Sequence, residues 1–190
     1  MSEHRRLLTA AVAMAALLSA CGDDAPTEST DTTSVPLTTP SATLPGAATT
    51  EVSEESESFG QLTAVRVGQH PGFDRVVFEF AEDVPGYTVK YVDLPVLADG
   101  SGEPVDLPGA DTAVLIVLTP SSGFDIDAGE ATYKGPKTVE NDKTLEITGV
   151  VRAGDFEAMV SWAVGLRHEV PFKVTKLDGP ARLVVDFQTS

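Results

Sequence analysis

The sequence predicts an all-β protein: a β-sandwich of two antiparallel sheets, preceded by a signal peptide and a disordered tether. Three observations in residues 59–190 support this fold. Apolar residues recur at every second position, the segments with this period are short, and turns rich in Gly, Pro and Asp separate them. No segment of this part has a convincing amphipathic helical pattern, so two packed sheets are the architecture that we expect.

The first 20 residues have the pattern of a secretory signal peptide. Arg5 and Arg6 provide the positive start, and residues 7–18 form an apolar run. That run is too short to cross a bilayer, which takes about 20 residues. An ordinary signal peptide and a lipoprotein signal both fit this pattern, and the export route, Sec or twin-arginine, stays open.

The residue that directly follows this segment, Cys21, is the only cysteine of the chain. The run Leu18-Ser19-Ala20-Cys21 resembles the bacterial lipobox. The resemblance implies that Cys21 receives a diacylglyceryl group and becomes the mature N-terminus. We therefore expect an exported protein whose partner is the membrane, held at its outer face through the lipid on Cys21.

Residues 21–58 are predicted to be the lipidated cysteine followed by a disordered tether rich in Thr, Ser, Pro and Glu. After Cys21, this stretch has eight acidic side chains, no basic one and no aromatic one. It cannot bury enough apolar surface to offset the entropy cost of ordering the chain. The tether is expected to hold the folded domain, residues 59–190, away from the membrane.

The charge of the protein excludes one class of partner. The full chain has a net charge of -16. Without residues 1–20, 11 basic and 28 acidic side chains remain, which gives -17. A surface this acidic argues against nucleic acid, which requires a basic patch or stripe.

Within the folded domain, the strands follow from the apolar period. In the segment around residue 78, Val76, Phe78 and Phe80 share one face, and Arg75, Val77 and Glu79 share the other. The segment 113–118 is continuously apolar, as expected of a strand buried on both faces. The segment 156–166 has an apolar residue at every second position and is predicted to be one strand with Trp162 in the core. The predicted strands are 62–67, 74–80, 87–93, 113–118, 144–147, 156–166, 170–174 and 180–187.

Two of these strands share the order Arg, three apolar residues, an acid and Phe: Arg75 to Phe80 and Arg182 to Phe187. The second resembles the closing strand of AMIN domains, which target cell-wall amidases and secretins to peptidoglycan. The run from Val65 to Phe80 is similar to the opening of the AMIN-like domain of actinobacterial lipoproteins, and the similarity extends over 59–190. It implies a sandwich without catalysis and without a cofactor, and it makes peptidoglycan an expected partner.

Three side chains are candidates for ligand binding. Arg75 and Arg182 could bind carboxylates, since a guanidinium group matches a carboxylate with two hydrogen bonds. Each could instead pair with an acid on the neighbouring strand, such as Glu79 or Asp186. Tyr91 lies among polar neighbours and is predicted to be an exposed ring that could stack on a sugar.

No metal or catalytic site is predicted. A zinc motif beginning at His168 fails, because it would need a second His at Phe172. Asp125, Asp127 and Glu130 are explained by turn chemistry. We therefore expect a non-catalytic envelope module that binds peptidoglycan or a wall-associated protein. The alternative is a structural or chaperone-like lipoprotein that binds a protein partner through a sheet edge.

Overall fold

The computed structural model describes residues 43–189, and this part of the chain consists of strands and loops without an α-helix. Within it, no helix has the length and apolar composition needed to cross a membrane. The strands are β1 (Val52–Glu54), β2 (Gly60–His70), β3 (Phe73–Phe80), β4 (Gly86–Val92), β5 (Thr112–Thr119), β6 (Ser121–Ser122), β7 (Phe124–Asp125), β8 (Glu130–Ala131), β9 (Thr138–Val139), β10 (Ile147–Phe156), β11 (Met159–Leu166), β12 (Phe172–Leu177) and β13 (Arg182–Gln188).

Most strands lie in two sheets, with strand orders β1-β4-β5-β11-β10-β9 and β12-β13-β3-β2-β6. The predicted β-sandwich is confirmed, with one correction to its sheets. The six-stranded sheet is antiparallel throughout. The five-stranded sheet is mixed, because β6 runs parallel to β2, where the Ser121 hydroxyl donates to the Gly60 carbonyl at 2.7 Å. Strands β7 and β8 form a separate two-stranded sheet.

The core lies between the two large sheets. In β3, Val76, Phe78 and Phe80 are buried, and the residues between them are half-buried on the outer face, as predicted. Phe78 meets Trp162 of β11 edge to face, with ring centroids 6.0 Å apart. Trp162 is fully buried, which confirms its predicted place in the core. Burying a side chain such as Phe78 contributes about 1.5–3 kcal/mol, so these contacts hold the sheets together.

The centre of the six-stranded sheet is covered on both faces. One face meets the core between the sheets. On the other face, Val96 and Leu107 from the loop between β4 and β5 pack near Ala113 and Ala163. The continuously apolar segment 113–118 is therefore a strand covered on both sides, as its composition predicted.

The predicted single strand 156–166 is two strands joined by a tight turn. Phe156 ends β10 and pairs with Met159, the first residue of β11. The two residues between them, Glu157 and Ala158, have φ values of 50° and 58°. Positive φ at both central residues is the pattern of a type I′ turn, which usually contains Asn or Gly. The prediction missed this turn because neither residue is a turn-former by composition.

Replacing Ala158 with Gly is expected to stabilise the domain. An alanine in the left-handed region costs about 1–2 kcal/mol in the folded state, and glycine avoids this cost. Glycine also loses more backbone entropy on folding than alanine does, which cancels about half of the gain. The expected gain is therefore about 0.5–1 kcal/mol, measured as a higher midpoint of urea unfolding. Ala128→Gly, in an exposed turn where the alanine has negative φ, is the control and should not stabilise. An equal gain in both variants would contradict the explanation.

The predicted strand 144–147 is also wrong, because only its last residue lies in a strand. Strand β10 begins at Ile147, and the N–H groups before it are held by a side chain, while the Glu146 carbonyl accepts from the N–H of Arg167 just after β11 at 3.0 Å. Oδ2 of Asp74 accepts from the backbone N–H groups of Leu145, Glu146 and Ile147 at 2.8, 2.7 and 3.1 Å. Asp74 is completely buried. It therefore fastens the entry of β10 to the five-stranded sheet.

The boundary predicted at residue 58 lies too close to the C-terminus. Ala48 exchanges two backbone hydrogen bonds with Phe172, at 2.9 and 3.0 Å, and β1 pairs with β4 in the other sheet. Glu54 forms an ion pair with Lys176 across the same edge. Backbone pairing can order a polar segment that contributes little to the core. Residues 43–58 therefore belong to the domain, whereas residues 1–42, with the predicted signal peptide and Cys21, lie outside the described residues.

Candidate functional site

The outer face of the five-stranded sheet brings the two predicted arginines together. Arg75 of β3 lies opposite Asp186 of β13, and Arg182 of β13 lies opposite Glu79 of β3. Residues paired in this way project on the same side of a sheet, so both arginines share one face, about 13 Å apart along the strands. We call it the cationic face, and its residues are Ala64, Arg66, Gly68, His70, Phe73, Arg75, Val77, Glu79, Lys173, Thr175, Leu177, Arg182, Val184, Asp186 and Gln188.

Arg75 is already occupied by a carboxylate of its own protein. Its Nε and Nη2 donate to the two carboxylate oxygens of Asp186 at 2.6 and 2.8 Å. The side chain of Asp186 is only 8% exposed. The hydrogen bond to Asp186 raises the pKa of Arg75 above its ordinary value. The cross-strand alternative considered from the sequence is confirmed for Arg75, which positions Asp186 and does not offer a free guanidinium group.

The hydrogen-bond partners of Arg182 differ from those of Arg75, although the two arginines lie in similar sequence segments. Glu79, which lies opposite it, forms an ion pair with Arg66 on the other side. Nε of Arg182 donates only to the backbone carbonyl of Pro180, at 3.1 Å. Among the described residues, no carboxylate lies within salt-bridge distance of Arg182. Its guanidinium group can therefore accept an anionic ligand.

A second cation, Lys173, lies at the edge of the same face, and within residues 43–189 no carboxylate is at salt-bridge distance from it. Lys173 of β12 is opposite Asp186, whose two oxygens are used by Arg75. Between Lys173 and Arg182 lie Val77, which is half-buried, and its cross-strand partner Val184, which is buried. The face thus offers two cations that are separated by a largely covered apolar pair.

One end of the face is aromatic. The rings of His70 and Phe73 stack with centroids 5.0 Å apart and an angle of 13° between their planes. The guanidinium carbon of Arg75 lies 5.0 Å from the Phe73 ring centroid, a cation–π contact. A flat apolar surface beside charged groups is suited to a sugar ring that carries a carboxylate.

The charge of this face differs from that of the domain around it. It has four basic side chains, Arg66, Arg75, Lys173 and Arg182, against the two acids Glu79 and Asp186, which leaves +2. Residues 59–190 as a whole have 11 basic and 20 acidic side chains, a net charge of -9. A positive patch on an acidic domain steers anionic ligands toward one face.

Tyr91 does not belong to this face, and its predicted exposure is wrong. It lies in β4 of the other sheet and is half-buried. Its hydroxyl donates to the carbonyl of Val170 at 2.7 Å and accepts from the N–H of Val170 at 2.9 Å. Its ring packs against Phe172, with centroids 5.9 Å apart. Burial raises the pKa of Tyr91, and the side chain joins the two sheets at their edge.

Of the charged and aromatic residues of the face, sequence reasoning missed four as candidates: Arg66, His70, Phe73 and Lys173. The period of β3 could have found Phe73, which is two residues from Arg75 and so projects to the same side. Lys173 could not be found in this way, because its place depends on the register between β12 and β13.

We also searched residues 43–189 for pairs and clusters of titratable side chains. Nδ1 of His168 lies 3.0 Å from a carboxylate oxygen of Glu146. In residues 43–189, no three His, Cys, Asp or Glu side chains form a group that could hold a metal ion.

A comparison with protein families identifies one match. The family described as AMIN-like domain matches residues 60–189 of this chain. The match includes all of the cationic face and most of the described residues. No curated protein is similar enough to the chain to be matched.

Proposed function

Because the chain belongs to the AMIN-like domain family, we propose that it is a non-catalytic binding module of the cell envelope that attaches to peptidoglycan through its cationic face. The free guanidinium group of Arg182 is the observation that carries this proposal. Together with Lys173, it offers charge to the carboxylates of a glycan polymer, and His70 and Phe73 offer a flat surface to its sugar rings.

The position of the domain in the envelope is part of the proposal. A diacylglyceryl group on Cys21 would hold the chain at the outer face of the membrane, since two acyl chains anchor a protein stably where one does not. Between Cys21 and Thr43, the first described residue, lie 21 residues of low hydrophobicity. As a flexible coil they would span about 25 Å, enough to hold the domain beyond the bilayer surface.

The proposal is tested by co-sedimentation of residues 43–190 with purified, protein-free peptidoglycan. We expect saturable binding that weakens with salt and that free muropeptides reverse, because the contacts are exposed charge pairs. Arg182→Ala and Lys173→Ala should each weaken binding about threefold to tenfold, or about 0.7–1.4 kcal/mol. Lys134→Ala, an exposed lysine next to β8, is the control and should bind as the unchanged domain does.

Two results would contradict the cationic face as the binding surface. One is a folded domain that does not sediment with the polymer at low salt. The other is binding that is equally strong in the Arg182, Lys173 and Lys134 variants, which would assign the contact to another part of the domain.

A second candidate function rests on the edge of the five-stranded sheet. Phe172 of β12 bonds outward to Ala48, so by the alternation of an antiparallel strand the N–H and C=O groups of Val174 and Lys176 also point outward. In residues 43–189, no backbone partner meets those groups of Val174 and Lys176. An extended segment of a protein partner could add there as a strand, in which case muropeptides would not compete with it.

A further inference from the structure

The first described segment of the chain crosses from one sheet to the other along the side of the sandwich. Ala48 pairs with Phe172 of β12 through two backbone hydrogen bonds, and β1 then pairs with β4 of the six-stranded sheet. We call residues 43–58 the strap. A sheet edge without such a cover presents unpaired N–H and C=O groups to which another chain can add as a strand. The strap therefore controls whether a partner can reach β4.

Two side chains of the strap fit the side of the sandwich. Val52 lies opposite the fully buried Val89 and packs against the core. Two residues later, Glu54 lies opposite Tyr87 and accepts from its hydroxyl at 3.3 Å. Glu54 also forms an ion pair with Lys176 of β12, so that one carboxylate contacts both sheets. We call the residues that receive the strap the acceptor edge, and they are Tyr87, Val89, Phe172 and Lys176.

The strap has few of the contacts that hold the other strands in place. None of residues 43–58 is buried, and Val52 is the one apolar side chain among them that packs against the core. A cleft of about 630 Å³ is lined both by residues 53–57 of the strap and by residues 86–88, 119 and 120 of the domain beneath it. Segments with few buried apolar contacts open locally, without unfolding of the whole domain.

The strap also has a charge of the same sign as the domain that it covers. Its four charged residues are all acids: Glu51, Glu54, Glu55 and Glu57. The strap therefore has a net charge of -4, and residues 59–190 have a net charge of -9. Within residues 43–189, Glu55 and Glu57 have no basic side chain at salt-bridge distance. A segment that keeps the acid at position 54 and lacks the other three meets less repulsion from this domain.

We propose that the strap is a displaceable cover and that the acceptor edge binds an extended segment of another protein in its place. The segment runs antiparallel to β4, with an apolar residue at the position of Val52 and an acid at the position of Glu54. Main-chain hydrogen bonds provide the affinity of such a complex, and the alternate side chains provide its specificity. The proposal does not depend on the cationic face. It also differs from strand addition at Val174 and Lys176, which needs no displacement of the strap.

The probe is a fluorescently labelled peptide with the sequence of residues 43–58, and fluorescence anisotropy measures its binding to residues 21–190 with Cys21→Ser. We expect saturable binding that the chain's own strap weakens by competition. Val52→Ser in the chain should tighten the apparent binding about tenfold, because the acceptor edge is then uncovered in a larger fraction of the molecules. The same change in the peptide should weaken binding. Leu145→Ser, at an exposed apolar residue before β10, is the matched control in the chain and should leave binding unchanged.

A disulfide that locks the strap identifies the surface to which the peptide binds. Ser53 and Thr88 lie opposite each other in β1 and β4. The Cα atoms of such a pair are about 4.5–5.5 Å apart, which a disulfide can bridge. With Ser53→Cys and Thr88→Cys, the oxidised chain should not bind the peptide, and reduction should restore binding.

A second peptide tests the chemistry of the partner. It has the strap sequence with Glu51→Gln, Glu55→Gln and Glu57→Gln, and it retains Val52 and Glu54. We expect it to bind about threefold more tightly than the first peptide, because it meets less repulsion from the acidic domain.

Three outcomes would overturn the proposal. The first is a peptide that binds neither the unchanged chain nor the Val52→Ser variant at concentrations up to about 1 mM. The second is equal binding to the oxidised and reduced forms of the locked variant, which would assign the peptide to another surface. The third is weaker binding of the glutamine peptide, the result expected if its acids contact the cationic face. Circular dichroism of each variant confirms that the fold is intact.

Discussion

Asp74→Ala is expected to lower the free energy of unfolding by about 3–5 kcal/mol. The carboxylate of Asp74 is fully buried, and one of its oxygens accepts from three consecutive backbone N–H groups at the entry of β10. Alanine would leave those donors without an acceptor, and two of them, the N–H groups of Glu146 and Ile147, are buried away from bulk water.

Urea unfolding followed by Trp162 fluorescence measures this effect. Asp74→Asn is the matched control, because its amide oxygen can still accept from the three N–H groups, and it should cost only about 1–2 kcal/mol. A loss below about 1 kcal/mol for the alanine variant would contradict the role that we assign to Asp74, since each orphaned buried donor alone costs about that much.

Arg75→Ala is expected to destabilise the domain by about 1–3 kcal/mol, while the equivalent change at Arg182 should cost less than about 0.5 kcal/mol. The difference arises from Asp186, whose nearly buried carboxylate has both oxygens bonded to Arg75. Removing Arg75 leaves that charge without its partner, whereas removing Arg182 breaks one hydrogen bond to a backbone carbonyl.

Paired unfolding measurements on the two variants decide this prediction. The double variant Arg75→Met, Asp186→Leu provides the control: it removes both charges and should recover much of the lost stability, because a buried charge is costly mainly when unpaired. If the two alanine variants lose equal stability, the buried charge of Asp186 does not require Arg75 as its partner.

These two arginines show why the binding experiments should begin with Arg182. A weaker interaction with peptidoglycan in an Arg75 variant could result from a disturbed sheet, because Arg75 supports Asp186 and contacts Phe73. Arg182 and Lys173 can be changed without leaving a buried partner unpaired. Their effect on binding can therefore be separated from an effect on stability.

The sequence predicted the interior of this domain well. The alternation in β3 identified both its faces, and the apolar composition of 113–118 identified a strand covered on both sides. These predictions succeed because the side-chain period of a strand is a local property of the backbone. The predictions failed where contacts with distant parts of the chain overrule the local pattern. The turn formed by Glu157 and Ala158 is an example, because the hydrogen bond from the Ser121 N–H to the Ala158 carbonyl holds it in place.

What the sequence by itself determined is the all-β class, the position of the core residues and the family, because the strand period and the motif around Arg75 are contained in short segments. Only the tertiary structure decided which charges are free. Arg75 and Arg182 have equivalent positions in two similar segments. The carboxylate of Asp186 pairs with Arg75, whereas that of Glu79, which lies opposite Arg182, pairs with Arg66 instead. The physical reason is strand register: the partner of a side chain on a sheet lies on another strand, often more than a hundred residues away in the chain.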